Sequence, residues 1–390
     1  MGKSALGLLF DNGNKRSIAA LIGAIETQPA LDGVDIHLLK PRLGLSDQIA
    51  ALARRYERVV VGFSFTTPRA SRIYEAVGQI RSRLQARGLE NVTLVAGGPH
   101  PSGARRQTLE MGFDVVVVGE GEISFPALLQ ALYAGHSPAS IPGVVYRRGQ
   151  EARSNGRSPR VACLDDWPPF AERYPLFSSI EITRGCPWGC RYCQTTYLFG
   201  ARMRHRSVDN VLRWVETSAR HDHSTIRFIT PNAFMYGSQG GGPRLDRLGE
   251  MLRRVSAVVG KAYVYLGSFP SEVRPESVSR EALDLVCQYT ANDNVSIGAQ
   301  SGSQRMLDLA HRGNTVEDIY RAVTLTLEAG LEANVDFIFG MPGEEEADRA
   351  RTRRVIEHLA DMGARIHSHT FMPLAGTPWA DAPPGRIDEQ

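Results

Sequence analysis

Three cysteines are the strongest chemical signal in the chain. Cys186, Cys190 and Cys193 stand within Glu181-Ile182-Thr183-Arg184-Gly185-Cys186-Pro187-Trp188-Gly189-Cys190-Arg191-Tyr192-Cys193, in a Cys-x3-Cys-x2-Cys spacing. Three thiolates on so short a loop can each hold one iron of a cubane, leaving the fourth iron without a protein ligand. An open metal position is a place for chemistry, whereas an electron carrier closes all four positions with cysteine. No fourth cysteine follows at a suitable distance. Cys287 falls in a helical pattern and reads as a small buried apolar residue, and Cys163 falls in a linker with no role assigned. The competing reading is a zinc ion, which wants a fourth ligand; the nearest candidate is His205.

The elements that must position this loop follow from periodicity. Short β-branched runs alternate with helical patterns from the start. Strands are expected at Ala5–Phe10, Val34–Leu39, Arg58–Phe63, Val92–Ala96 and Asp114–Val118, and helices at Lys15–Thr27, Ser46–Arg55, Pro68–Arg87, Gly103–Met111 and Ile123–Ala134. The valine run at 115–118 suits a strand buried on both faces of a parallel sheet. Five such units predict an α/β, doubly wound (Rossmann-like) sheet over residues 1–140. Residues 141–175 read as a linker: they hold Val144–Arg148, a polar stretch from Gly149 to Pro159, and Trp167-Pro168-Pro169-Phe170.

A second series starts at Ser179. Strands are expected at Ser179–Thr183, Thr225–Thr230, Ala262–Gly267, Val295–Ala299, Asn334–Phe339 and Arg365–Phe371. Helices are expected at Ser207–His221, Pro243–Val259, Arg280–Tyr289, Ser303–His311, Thr315–Ala329 and Glu344–Met362. Six units over 176–375 predict a partial (β/α)6, TIM-like barrel with ligands at the C-terminal strand ends, followed by a tail over 376–390. The cysteine loop directly follows the first of these strands.

Bulk properties narrow the function. The chain has 390 residues, with 45 Lys and Arg against 42 Asp and Glu and a formal charge of +3. That near balance gives no reason to expect a polyanion such as nucleic acid as a partner. The run Arg349, Arg351, Arg353 and Arg354 falls in a helical pattern and reads as a solvated face. No apolar run approaches the roughly 20 residues of a membrane span. The apolar start is followed at once by Asp11-Asn12-Gly13-Asn14, a strand and turn and not a leader, so a cytoplasmic location is expected.

With the aromatic Tyr192 before its third cysteine, the loop resembles the radical S-adenosylmethionine (SAM) motif. The resemblance implies a [4Fe–4S] cluster on Cys186, Cys190 and Cys193, with SAM chelating the open iron and cleaving to a 5′-deoxyadenosyl radical. It also implies an electron donor such as flavodoxin or ferredoxin. Later strand ends resemble the family's SAM-binding segments: Ile229-Thr230-Pro231-Asn232, Gly267-Ser268-Phe269-Pro270-Ser271-Glu272-Val273-Arg274, Ser296-Ile297-Gly298-Ala299-Gln300-Ser301-Gly302 and Phe339-Gly340-Met341-Pro342-Gly343. SAM contacts are therefore expected at Tyr192, Thr230, Pro231, Ser268, Glu272, Gln300, Ser301 and Met341. The first segment lacks the family's acidic residue, and the Thr230 hydroxyl or backbone carbonyls are expected in its place.

The first domain resembles the cobalamin-binding domain fused to many radical SAM enzymes, chiefly through Gly97-Gly98-Pro99-His100 and Gly119-Glu120-Gly121-Glu122. Cobalamin contacts are implied at Asn12, Gly13, Asn14, Ser64, Thr66, Thr67, Gly97, Gly98, His100, Gly119, Glu120 and Gly121. The Asp-x-His-x-x-Gly element of many cobalamin domains is missing; His37 falls inside a strand. Base-off cobalamin without a histidine lower ligand is implied, and His100 reads equally as a corrin neighbour or a solvated loop residue.

This pairing resembles class B radical SAM methylases, which transfer a methyl group from methylcobalamin to an unactivated carbon. Relatives that cyclise or rearrange without net methylation share both domains. Methylthio transfer to tRNA is disfavoured, because those relatives carry a further cluster on N-terminal cysteines and no cysteine precedes Cys163 here. The catalytic side chains are unassigned. A small molecule or lipid intermediate is expected as substrate, with a peptide side chain left open. Only Met372–Gln390 follows the last expected strand, so substrate contacts are expected from barrel loops and the interdomain surface, with Tyr197–Arg206 and Gly237–Gly242 as candidate lids.

Overall fold

The computed structural model describes residues 3–149 and 151–383; residues 384–390 of the expected tail lie outside the described residues. The chain divides into two compact units. The first holds residues 1–162, 166–178 and 374–376, and the second holds 163–165, 179–373 and 377–390.

The first unit is built on a seven-stranded sheet. Its parallel strands are β1 (Ser4–Leu9), β2 (Asp35–Leu39), β3 (Arg58–Ser64), β4 (Val92–Gly97) and β5 (Val115–Val117). The order is β2-β1-β3-β4-β5, continued by two antiparallel strands, β6 (Val144–Arg148) and β7 (Glu151–Ser154). β1 and β3 are buried almost end to end, as expected for strands covered by helices on both faces. Those helices are α1 (Lys15–Glu26), α2 (Leu45–Arg55), α3 (Ala70–Ala86), α4 (Pro99–Gly103), α5 (Arg105–Glu110) and α6 (Gly121–Tyr133).

Two expectations are corrected here. The single helix expected over Gly103–Met111 is two: Pro99 takes the first helical turn and starts α4 early, and Ala104 leaves helical geometry between α4 and α5. The linker expected over 141–175 begins with sheet, since β6 and β7 extend the sheet edge as a hairpin. All four β7 residues are exposed, so its polar sequence shows no alternation; β6 pairing alone makes it a strand.

The second unit carries the expected six parallel strands, in sequence order. The first splits into β8 (Ile180–Glu181) and β9 (Thr183–Arg184); β9 pairs antiparallel with β10 (Arg204–His205). Then come β11 (Ile226–Ile229), β12 (Val264–Tyr265), β13 (Asn294–Gln300), β14 (Glu332–Phe339) and β15 (Arg365–Thr370). They form two three-stranded sheets, β12-β11-β8 and β13-β14-β15. The seam falls where the expected strand Ala262–Gly267 shortens to two residues. It is closed by a parallel bridge between Val273 and Ile297 and by Ser296 N donating to Gly267 O at 2.7 Å.

The helices are α7 (Thr195–Phe199), α8 (Val208–Arg220), α9 (Leu245–Val259), α10 (Arg280–Tyr289), α11 (Gln304–Leu309), α12 (Val316–Glu328) and α13 (Glu346–Asp361). Their starts are written locally. Ser207 and Ser279 cap α8 and α10, Thr315 with Asp318 forms a capping box on α12, and Glu345 with Asp348 forms one on α13. The basic run on α13 is exposed or paired on its surface, as in Arg349–Glu346 and Arg351–Asp348.

Register sorts the barrel strands into two faces. Val295, Ile297, Ala299, Ala333, Val335 and Phe337 are buried on the side packed by α12 and α13. The opposite face presents Ser296, Gly298, Asn334, Asp336, Arg365, His367 and His369. The concave side is therefore polar, as a ligand-bearing lumen requires.

Candidate active site

The cysteine loop follows β9, and its own hydrogen bonds set its shape. Cys186 N donates to Gly200 O (3.0 Å), Cys193 N to Cys190 O (3.0 Å) and Arg191 N to Ala310 O (3.0 Å). Thr196 Oγ1 donates to Cys186 O (2.7 Å) and accepts from Gly189 N (3.2 Å). Gly185 has φ of 91°, and a Cβ there would sit 2.3 Å from Arg202 O, so the loop entry admits only glycine. At its base, Arg184 pairs with Glu181 at 2.6 Å.

All three thiols are free. Cys190 is buried, and Cys186 and Cys193 are half-buried. Burial pushes the Cys186 thiol up and the neighbouring cysteines add to that, while the Trp188 backbone hydrogen bond and Arg274 oppose it. Cys193 Sγ lies 3.3 Å from Thr195 Oγ1 and 3.5 Å from Thr195 N.

Among the described residues, no three His, Cys, Asp or Glu side chains converge as ligands of one ion would. In a cubane each thiolate takes a different iron, so convergence on a point is not required. The zinc reading fails on His205, whose nitrogens are both engaged. Nε2 lies 2.6 Å from Ser238 O, and Nδ1 lies 3.0 Å from Thr183 Oγ1 and 3.2 Å from Gly237 N.

Two arginines stand at the loop: Arg274, which ends the segment singled out after the third expected strand, and Arg312, which carries no local sequence signal. Arg274, 3% exposed, places its guanidinium 4.1 Å from the Trp188 ring centroid and its Nη1 3.8 Å from Cys190 Sγ. It also pairs with Glu276 and donates to Arg312 O. Gly313, at φ 81°, makes room for the indole, since a Cβ there would sit 2.8 Å from the Trp188 ring. Arg312, 7% exposed, donates to Gly298 O at 2.6 Å and is held protonated, against its burial, by Tyr192, Cys190 and Glu276. Its Nε has no partner among the described residues.

The donor set fits a [4Fe–4S] group. Two buried guanidiniums and the carboxylate of Glu276, paired with Arg274, leave one positive charge beside Cys190. Three thiolates on an oxidised cubane carry one net negative charge, which balances it.

The residues expected at SAM are distributed as follows. Tyr192 packs in an apolar cluster with Met306, Ala310, Met341, Phe371 and Trp379, which also buries Met341. Gln300 ends β13 in the left-handed region at φ 71°, a conformation that favours glycine and marks constrained sites. Its Nε2 lies against Gly298, where a Cβ would come within 2.6 Å. Pro231 is half-buried, and Ser268 is buried with its carbonyl accepting from Ser271.

Glu272 faces the concave side, accessible to solvent yet surrounded by protein. That surrounding pushes its carboxyl up, Asp336 adds to it, and Arg312 and His369 oppose it. Asp336 in turn lies 3.3 Å from His367 Nδ1 and 3.3 Å from His369 Nε2. Neither histidine nor Asp336 carried a local sequence signal; only strand register brings them together.

Several expectations change. The Thr230 hydroxyl is buried and takes part in its own turn, donating to Asn232 O at 3.0 Å and accepting from Asn232 N at 3.4 Å. Ser301 is fully buried toward α13, 3.3 Å from Thr352 Oγ1, and does not face the lumen. Tyr197–Arg206 is no free lid: α7 and the β9–β10 pairing fix it, and Arg206 is buried. Gly240, Gly241 and Gly242 remain open: a Cβ added at any of them would meet nothing within 4 Å.

In the first unit, the crevice between β1 and β3 lies where the strand order reverses, the usual ligand position of such sheets. Asn14 stitches its edges: Nδ2 donates to Leu9 O (2.8 Å) and Ser64 O (3.2 Å), and Oδ1 accepts from Asp11 N (2.9 Å). Ser64 bonds Ser17 at 3.0 Å, and Asp11 pairs with Arg69 across the same gap. Glu120 accepts from Val161 N at 3.1 Å. Asn14, Ser64 and Glu120 are therefore buried framework residues.

Asn12, Gly13 and Thr66 are exposed, and Thr67, Gly97, Gly98, Gly119 and Gly121 are partly so. Gly98 needs its φ of 92°, and a Cβ there would press on Ser64 Oγ at 2.9 Å. His100 is not a solvated loop residue: it is buried 5.5 Å from the Phe65 ring, with Nδ1 3.3 Å from Thr67 Oγ1 and Nε2 unpartnered. Burial lowers its pKa, favouring the neutral ring. An open rim of glycines and hydroxyls over a closed polar floor fits a large, flat ligand. His37 lies in β2, 3.2 Å from Tyr56 OH, and stays a strand residue.

Comparison with known proteins agrees with this architecture. Residues 180–356 match the family model of the radical SAM superfamily, and residues 18–129 match that of the B12 binding domain. An uncharacterised methyltransferase of Pyrococcus horikoshii is 27% identical over 327 residues, covering 80% of this chain and 66% of its own length. The tRNA-2-methylthio-N(6)-dimethylallyladenosine synthase of Moorella thermoacetica is 29% identical with the same coverage. This chain thus spans about two thirds of the length of these relatives. Among solved structures, the radical SAM methyltransferase TsrM of Kitasatospora setae, with cobalamin and a [4Fe–4S] cluster bound, superposes with a TM-score of 0.72 at 18% identity. That match covers 97% of this chain and 77% of that one.

Proposed function

The chain belongs to the radical SAM superfamily and carries a B12 binding domain, and from this premise we propose that it is a cobalamin-dependent C-methyltransferase acting at an unactivated carbon. The observation that carries the reading is the cysteine loop with its balancing charges, joined in one chain to a sheet whose switch-point crevice is open and glycine-rimmed. Bound in these places, a [4Fe–4S] cluster with SAM would supply radical chemistry, and cobalamin would supply the methyl group.

The chain's own residues do the rest. Cys186, Cys190 and Cys193 hold three irons. Gln300 and Glu272 at the strand ends, with Tyr192 and Met341 beneath, form the SAM side of the lumen. Asn12, Gly13, Thr66, Thr67, Gly97, Gly119 and Gly121 meet cobalamin. Asp336, His367 and His369 line the remaining polar wall, where they can orient a polar substrate.

A small molecule is the substrate class that suits this wall. TsrM, the structural neighbour, has been solved with a tryptophan substrate. Flavodoxin or ferredoxin is the donor class the chemistry calls for.

The test is anaerobic reconstitution with iron, sulfide and hydroxocobalamin, followed by metal analysis and substrate screening by mass. About four irons and one cobalt per chain, with a product heavier by one CH2, is the expected result. A product of unchanged mass would replace methylation with cyclisation or rearrangement. Iron without cobalt would remove the methyltransferase reading.

A further inference from the structure

We propose that Arg274 and Arg312 set the reduction potential of the cluster, acting as fixed positive charges at Cys190 that ease its one-electron reduction. The inference rests on the cluster assignment proposed above and adds to it. The two guanidiniums come from different segments, after β12 and after α11. Arg274 Nη1 is 3.8 Å from Cys190 Sγ, Arg274 also donates to Arg312 O, and the Arg312 side chain hydrogen-bonds Cys190 as well.

Both side chains are nearly excluded from water, so their charge is weakly screened. Their positions are fixed from several sides. Trp188 stacks on Arg274, and its guanidinium also holds Glu276 and Arg312 O; Gly298 O holds Arg312. Neither can turn away when the cluster changes charge.

The physical consequence has a sign. Reduction adds one electron to a group already carrying thiolate charge. Hydrogen bonds and positive charge at a cluster sulfur favour the reduced form and raise its potential. Glu276 pairs with Arg274, and its negative charge works against that of Arg274. Arg274, Arg312 and Glu276 are therefore positioning residues acting through the cluster, with opposite signs.

The test is a dithionite titration of the reconstituted full-length protein, following the reduced cluster by electron paramagnetic resonance alongside iron content. Arg274→Met and Arg312→Met are expected to cut the ratio of reduced to oxidised cluster at least tenfold at fixed potential, a negative shift of about 59 mV. Arg274→Lys should keep most of the wild-type value, and Glu276→Gln should shift it positive. Arginine variants with full iron and unchanged potential, or a negative shift in Glu276→Gln, would overturn the proposal. If the methionine variants lose iron, the sign of the Glu276→Gln shift decides. Wild-type protein that forms no reducible cluster would instead overturn the cluster assignment itself.

Discussion

The two candidate ligand sites use polar residues in opposite ways. At the rim of the first unit, the buried polar side chains are spent on the protein. Asn14 ties β1 to β3, Ser64 meets Ser17, and Glu120 holds the backbone of Val161. What faces outward is backbone, glycine and a few hydroxyls. At the cysteine loop two buried charges, Arg274 and Arg312, stand together, and in the lumen Glu272 and Asp336 remain accessible. The first arrangement suits a ligand held by shape and by backbone hydrogen bonds. The second suits ligands whose charge changes during a reaction, where fixed dipoles and ions do their work.

The largest effect that separates the two regions comes from the cysteines. Cys186→Ala, Cys190→Ala or Cys193→Ala should reduce iron from about four per chain to near zero, while hydroxocobalamin still binds. Iron analysis and visible spectra on one sample read both. Loss of cobalamin in the same variants would break the comparison, since it would make the first site depend on the second.

Asn14→Ala should act in the reverse sense, removing three side-chain hydrogen bonds from the first unit, two of them buried. A stability loss of about 2–3 kcal/mol is expected in urea denaturation, with cobalamin uptake weakened and iron content kept. An unchanged midpoint would mean that the stitch across the crevice is dispensable.

Asp348 sharpens the view of framework charge in the second unit. Burial would raise its pKa, but hydrogen bonds from Arg305, Ser303 and the Glu345 backbone overcome this and hold it at about 2, below the ordinary 3.8. A depressed folded pKa stabilises above the unfolded value, so the contribution is present above pH ~4 and lost as pH falls through ~2. Asp348→Asn should cost on the order of 2 kcal/mol at pH 7, and the difference from wild type should vanish near pH 2. A pH-independent difference would assign the loss to packing.

The smallest effect is expected at the cysteines outside the loop. Cys163 is exposed, and the Cys287 thiol lies 3.6 Å from Ala329 O, away from any cluster position. Cys163→Ser should leave iron content unchanged and stability within about 0.5 kcal/mol. A loss of iron would show that the three-cysteine loop is not the whole ligand set.

Much of this was legible in the chain. The periods of apolar residues placed nearly every strand and helix, because buried parallel strands and amphipathic helices impose their spacing directly. The β6–β7 hairpin was missed because an exposed edge strand carries no burial pattern. The break at Ala104 was missed because the early start at Pro99 outweighed the helical run. The cysteine loop and Gln300 stand out in the sequence because both lie beside glycines in short motifs. Arg312, Asp336, His367 and His369 have no such local signature.

The sequence by itself therefore determined the two-part α/β plan and the three thiols available for irons. Those are local matters of spacing, period and turn chemistry. Only the tertiary structure decided which polar residues are framework and which are free to act. It turned Ser301 toward α13, closed Asn14 and Glu120 into the floor of the first site, and brought Arg274 to Cys190 across 84 residues of chain. Hydrogen-bond satisfaction and electrostatics act through space and burial, and neither is set until the strands have found their neighbours.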